Sequence, residues 1–449
     1  MKERKIRPFA KIVGILLVFC LIASVFAMLF WRGRYDAPDT APTTEKTTFT
    51  TVPDPTPAEP QKPAEPTLVS KATIASTGDI LIHTPLLATA KQSDGTYDFH
   101  YIFPQIKSYF DTFDYSVANL EVPLGGPEAG AYDGYPRFNS PDALATALKD
   151  AGVDMLLCAN NHAADMGGEA LVRTGRAVRE AGMDVLGTRA TASDPVYTVK
   201  EINGIPIGMA CYTYGSISQS GTKSLNGGGW LSTAVSPLIN VFDYTKIDAF
   251  YTEAQTVLSE MRTAGCAVTV FYMHWGNEYQ YTPNTHQKAI AQKLCELGVD
   301  VIIGGHPHVI QPFETIHADN GNETLCIYST GNAVSNQRKN LMDSDNYSGH
   351  TEDGMLFCFT VEQWSDGTYR LSDVDILPTW VFMQTSGGKR WYTIIPLDTS
   401  VPDWHAFGLD DAGVKDAKAS YNRTMALVGE GLNEARAKLG AVQRPLSVS

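Results

Sequence analysis

Histidine, asparagine and carboxylate side chains recur in this chain just after apolar runs, a combination that suits a divalent transition ion. Three runs carry it: Ala159-Asn160-Asn161-His162-Ala163-Ala164-Asp165, His274-Trp275-Gly276 and Gly304-Gly305-His306-Pro307-His308. Each follows an aliphatic or β-branched stretch that reads as a buried strand, over 153–158, 267–273 and 299–303 respectively. Polar side chains at the ends of parallel strands build a site outside the carboxyl edge of an open α/β sheet. Taken singly, each has a plainer use. Asp79 after Gly78 suits a turn or a helix cap, Asn119 and Glu121 suit a strand end, and His274 suits a satisfied core position. Their common position at strand ends favours one metal-centred pocket.

The elements that must position these residues alternate. Ile247, Phe250, Ala254, Val257, Leu258 and Met261 repeat at three-and-four spacing and predict a helix stopped by Gly265. Further helices are expected over 141–151, 168–181 and 285–297, and strands over 72–76, 115–118, 183–186 and 325–328. The front strands run into Gly78-Asp79 and Asn119-Leu120-Glu121, and the last into Ser329-Thr330-Gly331-Asn332. From about residue 355 the pattern loosens to strands, an irregular Trp/Tyr-rich stretch and a polar helix near 411–427. His83 reads as a rim residue. His100, His286, His317, His350 and His405 read as surface or packing residues. Trp275, Tyr279 and Tyr281 either wall the cleft or pack. The His306/His308 pair is expected to alternate along an extended loop, turning both rings to one metal. The glycines 227–229 lack a strand-to-helix context and read as a loop rather than a phosphate cradle.

The first 34 residues are a separate object. Residues 12–31 carry no charge, and 20 helical residues span roughly 30 Å, a bilayer core. Lys2, Arg4, Lys5, Arg7 and Lys11 precede this run, against Arg32 and Arg34 after it, which keeps the N-terminus cytoplasmic and sends the rest outside. A cleaved signal peptide is the competing reading, with Val25-Phe26-Ala27 as its cleavage site. Met28-Leu29-Phe30-Trp31 carries the apolar run past that point, as an anchor does. Residues 35–68 hold eight prolines and nine threonines, a semi-extended spacer. The expected organisation is a basic cytoplasmic tail 1–11, a transmembrane anchor 12–31, a linker 32–70, a main domain 71–340, and a segment 341–449 of strands completing the fold plus a polar helical tail.

Residues 1–34 hold a surplus of six positive charges, so the remainder stands at −20 against −14 for the whole chain. That balance argues against nucleic acid and against general adhesion to anionic polymers, so an anionic substrate needs local positive charge such as a bound metal. Of seven cysteines none forms a CxxC pair. Those outside the anchor fall in strand-like or helical runs, and free thiols are expected.

Six motifs in one order now carry a resemblance: Thr77-Gly78-Asp79, Ala118-Asn119-Leu120-Glu121, Ala159-Asn160-Asn161-His162 with Asp165, His274-Trp275-Gly276-Asn277-Glu278-Tyr279, Gly305-His306-Pro307-His308-Val309-Ile310-Gln311 and Ser329-Thr330-Gly331-Asn332. Over residues 71–336 the chain resembles capsule-synthesis proteins of the CapA type, which are more distantly similar to calcineurin-like metallophosphoesterases. The resemblance implies a layered α/β sandwich with a metal site at the carboxyl ends of its strands, and a role in making or anchoring poly-γ-glutamate at the cell surface. It implies Asp79, Glu121 (as bridging carboxylate), Asn161, His274, His306 and His308 as ligands of two divalent ions (Mn, Fe or Zn). It also implies His162 as general acid, with Asp165 orienting it. Two such ions about 3.5–4 Å apart activate water and clamp a phosphoryl or acyl oxygen.

The departures from the superfamily pattern are specific. His83 lies four residues past Asp79 instead of two, Glu121 replaces an aspartate, and Ala163 follows the Asn-His pair where an acid is usual. Two functional classes stay open. One is a membrane-tethered metallohydrolase acting on a phosphoester or amide bond in an envelope polymer or its precursor. The other is a non-catalytic polymer-binding or assembly component of a capsule machine. Both place the domain outside the cell, beside an anionic capsule polymer and a membrane synthetase as partners. An exported nucleotide phosphatase is a weaker third.

Overall fold

The computed structural model describes residues 65–342, 348–441 and 444–445; the expected anchor 12–31 and most of the linker lie outside the described residues. Among the described residues no helix is long and apolar enough to cross a membrane. The described residues from Glu65 onward belong to one compact unit.

In chain order the strands are β1 (Leu68–Ile80), β2 (Tyr115–Leu120), β3 (Met155–Leu157), β4 (Asp184–Leu186), β5 (Tyr197–Ile202), β6 (Ile205–Tyr214), β7 (Ser216–Ile217), β8 (Lys223–Ser224), β9 (Val241–Phe242), β10 (Val268–His274), β11 (Val301–Gly305), β12 (Phe313–His317), β13 (Glu323–Ile327), β14 (Asn332–Val334), β15 (Asp353–Trp364), β16 (Tyr369–Ser386) and β17 (Lys389–Pro396). One large sheet runs β17-β16-β15-β1-β2-β3-β4, with β14 beside the end of β1; a second runs β12-β13-β11-β10-β6-β5, with β9 beside β6; β7 and β8 form a small two-stranded pair.

Strand alternation sorts the apolar residues into layers. Ala72 and Ile74 of β1, Val117 of β2, Ile207 and Met209 of β6 and Val270 and Tyr272 of β10 share one buried cluster between the sheets. Ala75 and Ala118 turn the other way, onto Leu86, Leu144, Leu148 and Val178 of the helices Thr84–Ala90, Ala143–Asp150 and Gly168–Glu180. Tyr212, Phe271 and Met273 face Phe250, Val257, Ile290 and Leu294 of the helices Ile247–Thr263 and Thr285–Leu297. The result is a helix–sheet–sheet–helix sandwich. Ser76 and Tyr272 join the sheets by a 3.1 Å hydroxyl hydrogen bond.

The sheet interior at the site end is tight. A Cβ on Gly304 would stand 1.9 Å from the Tyr328 carbonyl oxygen, and one on Gly78 would stand 2.0 Å from that of Gly331, so only glycine lets these backbones close.

The loosely patterned region past residue 355 is the antiparallel meander β15-β16-β17, with β15 pairing β1 along most of its length. The helix near 411–427 extends to Asp411–Leu439 and buries Ala417, Tyr421, Met425, Val428 and Leu432 in the inter-sheet core. The six described cysteines are free thiols.

Candidate metal centre

Sheet register brings the strand ends together. Asp79 of β1 pairs with Asn119 of β2 and with Asn332 of β14. In the second sheet His274, the last residue of β10, pairs with Gly305 of β11 and Thr213 of β6. Glu121 follows β2, Asn161 and His162 follow β3, and His306 and His308 follow β11. Asp79 and Glu121 are 0% exposed, and none of the other five exceeds 4%.

Two groups of ligand atoms form, each within 4.8 Å: Glu121 with His306 and His308, and Glu121 with Asp79 and His274. Asn161 joins through its Oδ1, 2.8 Å from His274 Nε2. All six side chains expected as ligands therefore converge, and Glu121 is common to both groups. His274 Nε2 approaches Glu121 Oε1 to 3.2 Å and His308 Nε2 to 3.8 Å. Neither approach is a hydrogen bond, and both carboxylate oxygens of Glu121, His306 Nδ1 and Asn161 Nδ2 are buried without a hydrogen-bond partner. A buried carboxylate without donors is costly unless a cation compensates it. The mixed N/O donor set fits a divalent transition metal.

The local electrostatics follow from burial. Burial, then the neighbouring Asp79 charge, pushes the Glu121 carboxyl well above its ordinary range. Burial would raise Asp79 too, but the hydrogen bond and charge of His308, with His274 behind, hold it below the usual carboxylate range. Burial pushes the His274 imidazole down to about 4. It also lowers His306 well below its ordinary value, helped by repulsion from His274 and His308. His308 goes the other way, up to about 9, because Glu121 and Asp79 outweigh its burial.

His162 is close enough for its charge to act on Glu121 and His306. Its Nδ1 lies 2.8 Å from Asp165 Oδ2, an oxygen that also accepts the Phe138 N–H at 2.9 Å. Arg137 donates twice to the Asp165 carbonyl, at 3.0 and 2.8 Å. The Phe138 ring meets His162 edge-on at 4.8 Å and His83 at 5.3 Å. His83 Nδ1 accepts the Asn336 N–H at 3.2 Å, and His83 belongs to neither ligand group.

The histidine loop corrects one expectation. His306 (φ 94°) and His308 (φ 57°) both take positive φ, so the segment is not extended and its rings do not converge by strand alternation. Such backbone costs about 1–3 kcal/mol per residue and is held by its surroundings. The His306 N–H donates to Asp79 Oδ2 at 3.0 Å, and the Pro307 carbonyl accepts from Tyr279 N–H at 2.8 Å. Trp275 is a packing residue. It is fully buried and its Nε1 donates to the Tyr328 carbonyl at 2.9 Å.

Three further residues belong to the site. Asn119 Nδ2 donates to Asp79 Oδ1 at 2.7 Å, Asn332 Oδ1 lies 3.1 Å from His308 Nδ1, and exposed Glu278 acts electrostatically on Glu121, His274 and His308. All three sit inside the motifs quoted above, but their partners come from distant strands.

Fold and site together define a layered α/β protein with a buried set of side chains that could hold a metal ion and that share one carboxylate. The family model described as "Bacterial capsule synthesis protein PGA_cap" matches residues 73–337, and the chain belongs to that family. The capsule biosynthesis protein CapA of Bacillus anthracis is 26% identical over 272 residues, 60% of each chain. The PGA biosynthesis protein CapA of Bacillus subtilis (strain 168) is 25% identical over 307 residues, 67% of this chain and 70% of that one. The match thus spans 60% of the length of the B. anthracis relative. Among solved structures, Haemophilus influenzae NAD nucleotidase (NadN) aligns with TM-score 0.40 at 12% identity, covering 82% of this chain and 59% of that one.

Proposed function

We propose that this protein takes part in making or anchoring a capsule polymer of the poly-γ-glutamate type, and that its buried cluster is a metal-dependent hydrolytic centre of metallophosphoesterase kind. The names of the two relatives support the first part. The second rests on Glu121, whose two buried oxygens lack any donor while lying in both ligand groups.

Asp79, Glu121, Asn161, His274, His306 and His308 would hold two divalent ions, Mn, Fe or Zn. When bound, such ions supply Lewis-acid charge and a lowered pKa for water. The chain's own part is proton handling and exclusion of solvent. Asp165 accepts from His162 Nδ1 and thereby leaves Nε2 as the atom that moves a proton to the leaving group. Phe138 closes over the imidazole edge-on and keeps water from that face. The bond cut is a phosphoester or an amide of an envelope polymer or its precursor. In this reading residues 12–31 anchor the chain in the cell membrane, the linker carries the domain outside, and a membrane synthetase is its partner.

The test uses the full-length protein purified in mild detergent, assayed for bound metal and for hydrolysis of a phosphodiester panel and of poly-γ-glutamate. His162→Ala is expected to lower turnover about 10²–10⁴-fold with metal content unchanged. Bound metal without turnover, together with polymer binding that survives His162→Ala, would instead establish a non-catalytic assembly component.

A further inference from the structure

The segment Ser329-Thr330-Gly331-Asn332 ends on a residue that touches the ligand set at more than one point. Asn332 is 0% exposed, and β14 lays it beside Asp79 of β1. Its Nδ2 faces three oxygens: the His308 carbonyl at 3.2 Å, the Thr351 carbonyl at 3.0 Å and Gln337 Oε1 at 2.9 Å. Two of these are backbone carbonyls, which only accept, so the amide orientation is set by its network. Oδ1 must then be the atom 3.1 Å from His308 Nδ1.

An amide oxygen has no proton to give, so His308 Nδ1 is the donor of that bond. Asp79 Oδ2, also an acceptor, lies 3.2 Å from the same nitrogen. The other ring nitrogen, Nε2, is on the Glu121 side, 3.8 Å from Oε1. Asn332 additionally holds the carbonyl of His308, a residue whose φ of 57° needs holding. One side chain thus clamps both the ring and the backbone of one ligand.

We propose that Asn332 is a positioning residue which keeps the His308 proton on Nδ1 and so reserves Nε2 as the donor atom toward a divalent cation shared with Glu121 and His306. The inference rests on the metal-centre reading and adds which atom of His308 binds and what selects it. A partner on the non-ligating nitrogen orients a histidine ligand and raises its basicity.

Full-length protein carrying nitrogen-labelled histidine and loaded with Cd²⁺ tests this. The expected spectrum couples cadmium to His308 Nε2 and retains a proton on Nδ1. Coupling to Nδ1, or a proton on Nε2, overturns the inference while the metal centre stands. Failure to take up Cd²⁺ at all sinks the metal-centre reading, and this inference with it. Asn332→Ala should weaken Cd²⁺ binding about 10–100-fold. Gln337→Ala removes a partner of the same Nδ2 without touching His308 and should leave affinity unchanged; an equal loss there would assign the effect to loop tethering and overturn the inference. Where Asn332→Ala fails to fold, the coupling pattern of the unsubstituted protein decides.

Discussion

Two pairs of buried carboxylates, Glu352 with Asp353 and Asp79 with Glu121, are satisfied in opposite ways. At Glu352 and Asp353 every oxygen has a donor. Lys339 N–H (2.9 Å) serves Glu352 Oε1, while Trp380 Nε1 (3.2 Å) and Arg338 Nη2 (3.1 Å) serve Oε2. Ser420 Oγ (2.6 Å) and Arg423 Nη2 (2.6 Å) serve Asp353 Oδ1, and Arg423 Nε (2.8 Å) serves Oδ2. At Asp79 and Glu121 the neighbours are imidazoles and amides, and Glu121 has no donor at all. The first arrangement closes on itself and staples the C-terminal helix Asp411–Leu439 to β15. The second leaves both Glu121 oxygens without a donor, a gap that bound metal would fill. Burial alone therefore does not single out Glu121; burial without a donor or a fixed cation does.

The sharpest break in that contrast comes from removing a partner on each side. Arg338→Met strands a buried Glu352 and should cost about 3–5 kcal/mol in urea unfolding. Glu121→Gln removes a charge that burial and Asp79 already disfavour, so in chelator-treated protein it should be neutral or stabilising. Equal destabilisation by both would erase the distinction.

Metal should act on one cluster only. Free Mn²⁺ or Zn²⁺ at a hundredfold its Kd should stabilise the protein by about 2.7 kcal/mol, read as a rise in Tm that a chelator reverses. Glu121→Gln should lose that rise, whereas a weakened Glu352/Asp353 cluster (Arg423→Lys) should keep it.

Much of the site is local chemistry and was legible as such. Asn284 caps the helix Thr285–Leu297 through a reciprocal box with Gln287, and Gly298 ends it in the left-handed region, so its bounds follow from neighbouring residues. The six expected ligands each lie at or just after a strand end, where type and position speak together. What was not legible depends on pairing across the chain. Asn332 meets His308 because β14 lies beside β1. The meander β15-β16-β17 mixes buried and half-buried residues without a clean alternation, and β15 pairs with β1, far upstream in the chain. The positive φ of His306 and His308 comes from contacts with Asp79, Asn332 and Tyr279, and no spacing in the loop itself announces it.

The smallest effect belongs to a third, exposed arrangement. His100 is bonded by Asp150 at 2.9 Å and Asp98 at 2.6 Å, which raises its imidazole above the ordinary 6.5. A raised histidine stabilises fully below the unfolded value and loses that contribution as pH rises through the folded one. The unfolding midpoint of His100→Gln should therefore trail the unsubstituted protein most near pH 5–6 and converge with it in alkali. A gap that widened with pH would contradict this sign.

The central claim is that the Glu121-centred cluster is a cation site. Metal content of the full-length protein, measured by elemental analysis after equilibration with Mn²⁺ or Zn²⁺ and exhaustive dialysis, tests it most directly beside Glu121→Gln and His306→Ala. The account predicts stoichiometric metal in the unsubstituted protein and its loss in both variants. Metal absent from all three, or retained equally by all three, would contradict it.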